Sequence, residues 1–196
     1  TTSDAMTLTI GNAASKNVAA GTVDVTGVEL VTINSVGVAG TNTNTVTVTD
    51  ANALALNVTG NVALTVTGLA SSTIKTVDLS AATKMVDVTG ITVAASGATF
   101  IAGAGGSKIA GGAGVDTITG GVGADTINGN GGADVIVGGG GADKITGGTG
   151  ADKITLSGST STLVFTAGHS GTNSSTTFQT AELTTTLDVV FGATAG

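Results

Sequence analysis

The stretch Gly111–Thr155 decides the fold, because it divides into five successive nine-residue segments: GGAGVDTIT (111–119), GGVGADTIN (120–128), GNGGADVIV (129–137), GGGGADKIT (138–146) and GGTGADKIT (147–155). Glycine begins every segment, aspartate is sixth, and isoleucine is the centre of the closing triplet. A triplet that alternates inward and outward side chains has the period of a β-strand. The repeat therefore predicts a solenoid in which each segment is one loop and one short strand. Its inward series extends beyond the five segments, as Phe100, Ile109, Ile118, Ile127, Ile136, Ile145, Ile154 and Leu163.

The loop residues of these segments have the composition of a calcium site. Carboxylate and carbonyl oxygens are hard ligands that suit Ca²⁺. We expect the glycines at the first, second and fourth positions to adopt positive φ and to turn their carbonyls inward. The second glycine is replaced once, by Asn130, and asparagine tolerates a left-handed conformation. The candidate ligands are therefore Asp116, Asp125, Asp134, Asp143 and Asp152, with backbone carbonyls near Gly112, Gly114, Gly121, Gly123, Asn130, Gly132, Gly139, Gly141, Gly148 and Gly150.

The five segments resemble the RTX (repeats-in-toxin) family, with its hemolysin-type calcium-binding nonapeptides. The resemblance implies a parallel β-roll with two nonapeptides per turn and several Ca²⁺ ions between stacked loops. Asp116, Asp134 and Asp152 would then line one edge, with Asp125 and Asp143 on the other, which gives about three complete sites. Without metal the aligned carboxylates would repel one another, so calcium binding and folding should be coupled. The preceding copy, 102–110, carries Ser107 in place of aspartate and should continue the fold with one ligand fewer.

The remainder of the chain is predicted to be all-β as well. Residues with β-branched side chains at period two predict strands at 22–26, 28–33, 45–49, 54–59, 62–67 and 74–79. At best a single helical turn is expected at 50–55 and at 80–84. We therefore predict an irregular parallel β-solenoid over 1–101, a calcium-binding β-roll over 102–157, and a C-terminal β segment over 158–196 that includes strands at 162–166 and 186–191 and is a candidate part of the export region.

A wider resemblance covers Ala20–Thr155, which is similar to the C-terminal lattice-forming region of RTX-type bacterial surface-layer (S-layer) proteins. The phrases that carry it are AGTV (20–23), GVELVTI (27–33), VTGN (58–61) and VDLSAA (77–82), ahead of the repeats. It implies a structural protein, secreted by a type I system, that self-assembles into a calcium-dependent lattice on a Gram-negative cell surface. The implied partners are copies of itself and outer-membrane lipopolysaccharide, the latter through a part of the protein outside this chain. The alternative is an RTX adhesin, or the secretion and folding stalk of a larger extracellular protein.

Composition argues against several other functions. The formal net charge is −7, with 13 acidic residues against 6 basic ones, so nucleic acid is an unexpected partner. The single histidine, His169, lies in a polar loop and is interpreted as a surface residue, so we expect no enzyme and no small-molecule substrate. The uncharged stretch 88–107 is long enough to span a membrane, but its glycine and serine residues, among them Gly90, Ser96, Gly97, Gly103, Gly105 and Gly106, argue against a span. The opening at Thr1 lacks a signal-peptide pattern and suggests a processed or excised fragment.

Two further interpretations concern surface residues. Val135 and Val137 should point outward, either as a tolerated apolar pair or as part of an assembly interface. Ice binding is a third function class and would need a regular row of outward threonines on successive strands. Val135 and Val137 interrupt that row. The carboxylates of Asp24, Asp50, Asp78 and Asp87 are interpreted as solvated turn or strand-edge groups rather than isolated calcium ligands.

Overall fold

In the computed structural model, the residues that can be described are 4–12, 16–25, 27–38, 42–50, 52–70, 73–157 and 160–164. All regular secondary structure in this part of the chain is β-strand. Its strands are β1 (Ala5–Asn12), β2 (Ala19–Asp24), β3 (Leu30–Gly37), β4 (Thr43–Thr49), β5 (Ala55–Gly60), β6 (Ala63–Val66), β7 (Leu69–Ala70), β8 (Thr76–Ala82), β9 (Val86–Asp87), β10 (Ile91–Thr92), β11 (Thr99–Ile101), β12 (Ser107–Ala110), β13 (Thr117–Thr119), β14 (Thr126–Asn128), β15 (Val135–Val137), β16 (Lys144–Thr146), β17 (Lys153–Thr155) and β18 (Thr162–Leu163).

The strands form two parallel sheets of eight strands each. Sheet A has the order β1-β3-β5-β8-β11-β13-β15-β17, and sheet B has the order β2-β4-β6-β9-β12-β14-β16-β18. Because the chain alternates between the sheets, each coil adds one strand to each of them. A two-stranded parallel sheet, β7 with β10, forms a small third side in the coils before the repeats. The predicted parallel β-solenoid is therefore confirmed.

The core is one slim layer between the two sheets. Every member of the predicted inward series is buried, from Phe100, which is fully buried, to Leu163, which is 4% exposed. The strands of the repeats pair in a register of 18 residues, as Ile118 with Ile136 and Ile127 with Ile145. A register slip of one residue would turn the isoleucines outward, so their burial fixes the stacking of the repeats.

The coils before the repeats follow the same plan with longer strands. The six strands predicted there correspond to β2, β3, β4, β5, β6 and β8, with ends that differ by a few residues. Strand β1 was missing from the predicted set. The buried polar residues of this part of the chain are Ser35, Asn44 and Asp50. The Asn44 amide donates to the Ile10 carbonyl oxygen at 3.1 Å and to the Ser35 hydroxyl at 3.0 Å. Buried polar atoms with such partners are compatible with the apolar layer around them.

The expected absence of long helices holds in the described part of this region. Among the described residues of 50–55 there are a bend and the start of β5, and 80–84 contains the end of β8, so not even the single turns allowed there are found. Strand pairing extends into these positions, because Thr59 and Gly60 pair with Ala81 and Ala82, and the neighbouring coil fixes the backbone as strand. The uncharged stretch 88–107 forms β10, β11 and the first residue of β12. Among the described residues no helix is long and apolar enough to cross a membrane.

Both sheets continue without interruption across residue 102, because β11 pairs with β8 and β12 pairs with β9. The domain boundaries at 101 and 157 stay a prediction. Of the predicted C-terminal strands, only the start of the first falls on described residues, as β18. The strand predicted at 186–191, His169 and the candidate export region lie outside the described residues.

Candidate metal centre

The 18-residue register places the five aspartates in two columns along the edges of the solenoid. The first column contains Asp116, Asp134 and Asp152, and the second contains Asp125 and Asp143. Within a column each backbone N–H donates to the carboxylate of the next coil: Asp116 N to Asp134 Oδ1 at 2.8 Å, Asp134 N to Asp152 Oδ1 at 3.0 Å, and Asp125 N to Asp143 Oδ1 at 3.0 Å. These are the two columns that the resemblance implies. The role of their carboxylates as calcium ligands stays a prediction.

The side chains of the columns point into the solenoid. Their exposed fractions are 0% for Asp116, 2% for Asp125, 1% for Asp134, 1% for Asp143 and 6% for Asp152. Two oxygens in the middle of this region, Asp125 Oδ1 and Asp134 Oδ2, are buried without a hydrogen-bond partner. Among the described residues no lysine forms an ion pair with any of the five aspartates. Buried carboxylates without compensating cations are unfavourable, so the metal-free columns are electrostatically destabilised.

The pKa values report the same cost. Burial, reinforced by the charges of Asp116 and Asp152, raises the pKa of Asp134 from 3.8 to about 7, although the hydrogen bond from the Asp116 amide opposes the change. Burial raises the pKa of Asp125 to about 6, and the charge of Asp143 adds to it. Burial also raises the pKa of Asp143. Each shift measures how strongly the folded chain disfavours the ionised form without a positive partner.

The first glycine of each repeat has a different role from the one predicted. None of Gly111, Gly120, Gly129, Gly138 and Gly147 has positive φ. A Cβ atom at any of them would instead meet Oδ2 of the aspartate five residues later in the same repeat. These positions need glycine because a Cβ would collide with the carboxylate and, at Gly120 and Gly129, with the carbonyl oxygen of the first glycine one coil later. The unpaired carboxylate oxygens fit a cation held against the columns.

The second and fourth positions follow the prediction only in the last three repeats. Asn130 has φ of 70°, and positive φ is also found at Gly132, Gly139, Gly141, Gly148 and Gly150. The prediction is wrong for Gly112, Gly114, Gly121 and Gly123, which do not have positive φ. The loops of these first two repeats stack on the irregular loops of the preceding coils. A Cβ at Gly114 would meet the Ala95 carbonyl, and one at Gly121 would meet the Gly103 carbonyl, so close backbone approach explains these glycines.

Several of the predicted carbonyl ligands also hold the loops together. The carbonyl oxygen of Gly112 accepts the N–H of Gly131 at 3.1 Å, that of Gly121 accepts Gly140 at 2.8 Å, and that of Asn130 accepts Thr149 at 2.6 Å. The carbonyls of Gly114, Gly123 and Gly132 face the fourth-position glycines one coil later, which are Gly132, Gly141 and Gly150. Gly139 O accepts the Ser157 hydroxyl at 3.0 Å. The carbonyl oxygens of stacked loops therefore follow one another from coil to coil. Oxygen atoms of this kind suit Ca²⁺, and their role as ligands stays a prediction.

The comparison with known families agrees with this geometry. Residues 96–127 and 128–160 match the RTX calcium-binding nonapeptide repeat. The chain carries RTX repeats. No curated protein and no solved structure matches the chain significantly. RTX nonapeptide repeats bind calcium, and proteins that contain them are typically secreted and extracellular. The match begins before the five regular segments, so it includes the degenerate copy with Ser107.

The other carboxylates divide into two groups. Asp78 Oδ1 accepts the Ser80 N–H at 2.9 Å, and Asp87 Oδ1 accepts both the N–H and the hydroxyl of Thr89, as expected for turn carboxylates. Asp50 Oδ1 accepts the Asn52 N–H at 2.8 Å, as a turn carboxylate does, but the prediction that Asp50 is solvated is wrong, because it is only 5% exposed and its Oδ2 has no partner. Its position after β4 turns it inward, and the sequence offered only the parity of that strand as a signal. Among the described residues no three His, Cys, Asp or Glu side chains converge on one point.

The structure also reveals an apolar feature that the sequence reasoning missed. Ile101, in β11, is 37% exposed on the outer face of sheet A, two strands away from Val135, which is 39% exposed. Strand β13 lies between them and contributes Thr117 and Thr119. In one row Ile101, Thr119 and Val137 are paired across the three strands, and in the other row Thr117 is paired with Val135. Phe100 belongs to the inward series, so the outward direction of Ile101 could have been found from the alternation of the strand. Ile101, Val135 and Val137 are called the sheet A apolar patch below.

Proposed function

We propose that this chain is a structural, calcium-dependent self-assembling segment of an extracellular surface layer, and that its copies associate through the outer face of sheet A. The observation that carries the proposal is the chemistry of that face. Across its eight strands the charged residues are Asp78 and Lys153, and threonine predominates at the outward positions. Association of such faces desolvates few charges, and packing of the sheet A apolar patch adds a hydrophobic contribution.

Sheet B is a weaker candidate for the same role. Its strands carry Asp24, Asp87, Lys108 and Lys144, and Lys108 forms an ion pair with Asp87 at 3.6 Å. Burying these groups against a second copy would require new partners for each charge. This difference in charge predicts that the outer face of sheet A, rather than that of sheet B, is covered on assembly.

Calcium enters the proposal through the shape of the solenoid. The repeats supply three strands of the assembly face, β13, β15 and β17, which include Val135 and Val137, and their loops contain the buried carboxylates. Because those carboxylates destabilise the metal-free repeats, we expect the face to be flat and complete only when calcium is bound. Self-assembly should therefore require calcium at concentrations that also order the repeats.

The proposal is tested by negative-stain electron microscopy of the purified chain with millimolar Ca²⁺ and with chelator. Ordered two-dimensional sheets should appear only with calcium. Val135→Lys should abolish them while leaving calcium-induced folding intact, measured by circular dichroism. Val122→Lys is the matched control, because it makes the same substitution at a valine that is 72% exposed in a loop outside sheet A.

Two outcomes would contradict the proposal in different ways. Normal sheets from Val135→Lys would remove sheet A as the contact. Monomers that fold with calcium and form no sheets under either condition would remove self-assembly, and would favour the RTX adhesin or the folding stalk. Attachment to lipopolysaccharide remains part of the S-layer proposal and is tested separately, by co-sedimentation of the calcium-loaded parent protein with lipopolysaccharide.

A further inference from the structure

The boundary between the second and third repeats contains two asparagines that are each followed by glycine: Asn128 precedes Gly129, and Asn130 precedes Gly131. No other asparagine of the chain precedes glycine. Glycine has no Cβ to shield its backbone nitrogen, so that nitrogen can attack the side-chain amide of the preceding asparagine. Both asparagines are exposed, Asn128 at the end of β14 and Asn130 in the loop that follows. The two pairs are therefore candidate sites of spontaneous deamidation.

The reaction converts asparagine into aspartate or isoaspartate and needs only water. The backbone nitrogen of the glycine loses its proton and bonds to Cγ of the asparagine, the bond from Cγ to Nδ2 breaks, and ammonia leaves with that proton. Water then opens the cyclic imide. Opening at the side-chain carbonyl gives aspartate, and opening at the backbone carbonyl gives isoaspartate, which has one more carbon in the main chain. The reaction therefore requires an accessible glycine nitrogen and an asparagine side chain that can turn towards it.

Neighbouring coils hold both glycine nitrogens in the folded repeats. The N–H of Gly129 donates to the carbonyl oxygen of Thr146, in the following coil, at 2.9 Å. The N–H of Gly131 donates to the carbonyl oxygen of Gly112, in the preceding coil, at 3.1 Å. Loss of either proton would remove a hydrogen bond and leave a negative charge facing a carbonyl oxygen, which is unfavourable. Stacking of the coils therefore hinders the attack at both pairs.

The two asparagine side chains are also held by hydrogen bonds. Asn130 Nδ2 donates to the carbonyl oxygen of Gly111, in the preceding coil, at 2.7 Å. Asn128 Oδ1 accepts the backbone N–H of Asn130 at 3.2 Å. Attack by the glycine nitrogens requires both side chains to leave these positions. The folded repeats therefore restrain the nucleophile and its target together, and three of the four restraining bonds reach a neighbouring coil.

We propose that Asn128 and Asn130 form a deamidation site that calcium closes: the stacked, calcium-loaded coils protect both residues, and the calcium-free chain converts them. The inference rests on the coupling of calcium binding to folding that the proposed function assumes. Conversion to isoaspartate is irreversible for the fold, because the extra main-chain carbon disturbs the register in which Ile127 and Ile136 are buried. A chain kept without calcium therefore loses the ability to form its repeats.

The test follows both sites by peptide mapping and mass spectrometry, with fragmentation that distinguishes isoaspartate from aspartate. The purified chain is incubated at mildly alkaline pH with millimolar Ca²⁺, with chelator, and in urea. Conversion should be at least about tenfold slower with calcium than with chelator, because it then requires local opening of the repeats. Asn57 is the internal reference, because it precedes Val58 within β5 and should stay unconverted with calcium and with chelator.

A variant with residues of the other repeats supplies a second readout. Asn128→Thr combined with Asn130→Gly removes both sites and introduces residues that other repeats have at the same positions, such as Thr146 and Gly139. After incubation with chelator, calcium is added back and folding is measured by circular dichroism. The wild type should lose a fraction of its calcium-induced signal that matches its isoaspartate content, and the variant should lose none.

Three results would overturn the proposal. The first is equal conversion with calcium and with chelator in samples that calcium visibly folds. The second is no more conversion at the two sites than at Asn57 in chelator, and the third is full recovery of folding by a wild type that contains isoaspartate. If the variant does not fold, the ratio of conversion in the wild type decides alone.

Failure of the proposed function is distinguishable from failure of this inference. A chain that folds with calcium and forms no sheets would leave the conversion results as predicted. A chain that is equally folded with and without calcium would convert in urea alone, and that result would contradict the coupling on which the closing of the site by calcium depends.

Discussion

Replacement of Asp134 by asparagine should change the stability of the repeats in opposite directions with and without calcium. Asp134 is the middle carboxylate of the first column: its Oδ1 accepts the Asp116 N–H at 2.8 Å, and its Oδ2 is unpaired. Asparagine keeps the shape and one oxygen acceptor and removes the charge. Without metal the loss of a buried charge should stabilise the repeats, whereas with calcium the same change removes a ligand from the two candidate ions that flank this position.

The size of the metal-free effect follows from the pKa. A rise of the Asp134 pKa from 3.8 to about 7 corresponds to roughly 4 kcal/mol of destabilisation once the group is ionised in the folded chain. Because the folded pKa is the higher one, this cost is absent below about pH 4, grows as the pH rises, and is complete above about pH 7. Asp134→Asn should therefore stabilise the metal-free repeats by about 4 kcal/mol at pH 8 and by almost nothing at pH 4.

Hydrogen exchange followed by mass spectrometry is the suitable assay, because it resolves opening free energies segment by segment. The relevant peptides cover β14 to β16, and the coils from β3 to β8 serve as an internal reference. Asp78→Asn is the control, since it removes a carboxylate that lies outside the columns and accepts a turn N–H. With millimolar Ca²⁺ the order should reverse, and the wild type should be better protected than Asp134→Asn.

Two results would refute this reasoning. Reduced protection of metal-free Asp134→Asn at pH 8 would show that the carboxylate stabilises the column through its hydrogen bonds more than its burial destabilises it. An equal gain in protection at pH 4 and at pH 8 would show that charge is not the cause.

The remaining predictions concern other parts of the columns and the core. Asp125→Asn should give a smaller metal-free gain at pH 8, about 3 kcal/mol, because the pKa of Asp125 rises only to about 6; the same exchange experiment measures it. Gly129→Ala should destabilise the calcium-loaded repeats by about 1–3 kcal/mol in urea unfolding, since its Cβ would meet the Asp134 carboxylate. Gly131→Ala is the control and should be tolerated, because the nearest atom to its Cβ is a side-chain hydroxyl oxygen at 3.2 Å. Ile136→Ala should cost about 2–5 kcal/mol by the same measurement because Ile136 is fully buried, and Val122→Ala, at a position 72% exposed, should change little. Removal of calcium with a chelator should abolish exchange protection in β13 to β17 and preserve it in β3 to β8. A uniform loss of protection along the chain would contradict the division into a calcium-dependent part and a calcium-independent part.

The nine-residue pattern made the stacking of the repeats predictable. Isoleucine at one position of every triplet can be buried in only one register, and that register brings the aspartates into columns without further information. The roles of the loop glycines could not be predicted in the same way. Gly129 and Gly132 are both glycine in the sequence, yet Gly129 is required by the neighbouring carboxylate and Gly132 by its φ of 118°. Only the packing of one loop on the next separates these two causes.

The errors about individual side chains have physical reasons that the residue types alone do not contain. Asp50 was expected to be solvated because carboxylates usually are, but its position at the end of β4 turns it inward. The outward direction of Ile101 was within reach, since it follows from the burial of Phe100 and the alternation of a strand.

One end of the second column is stable without calcium, and we expect the stability of the other end to depend on calcium. Leu64 and Val86 pair in successive coils and are buried, so that end of the column is stabilised by apolar contacts that need no ion. From Ser107 onward the same positions are polar, and at Asp125 and Asp143 they are charged. A carboxylate in an apolar column is destabilising alone and stabilising once a cation neutralises it. The earlier coils can therefore be formed before calcium arrives and present β8 and β9 as edge strands, on which the repeats add coil by coil as each ion binds. That order places the calcium-dependent step at the end of the solenoid that carries the sheet A apolar patch, so we expect the surface proposed for assembly to be complete only when calcium is bound.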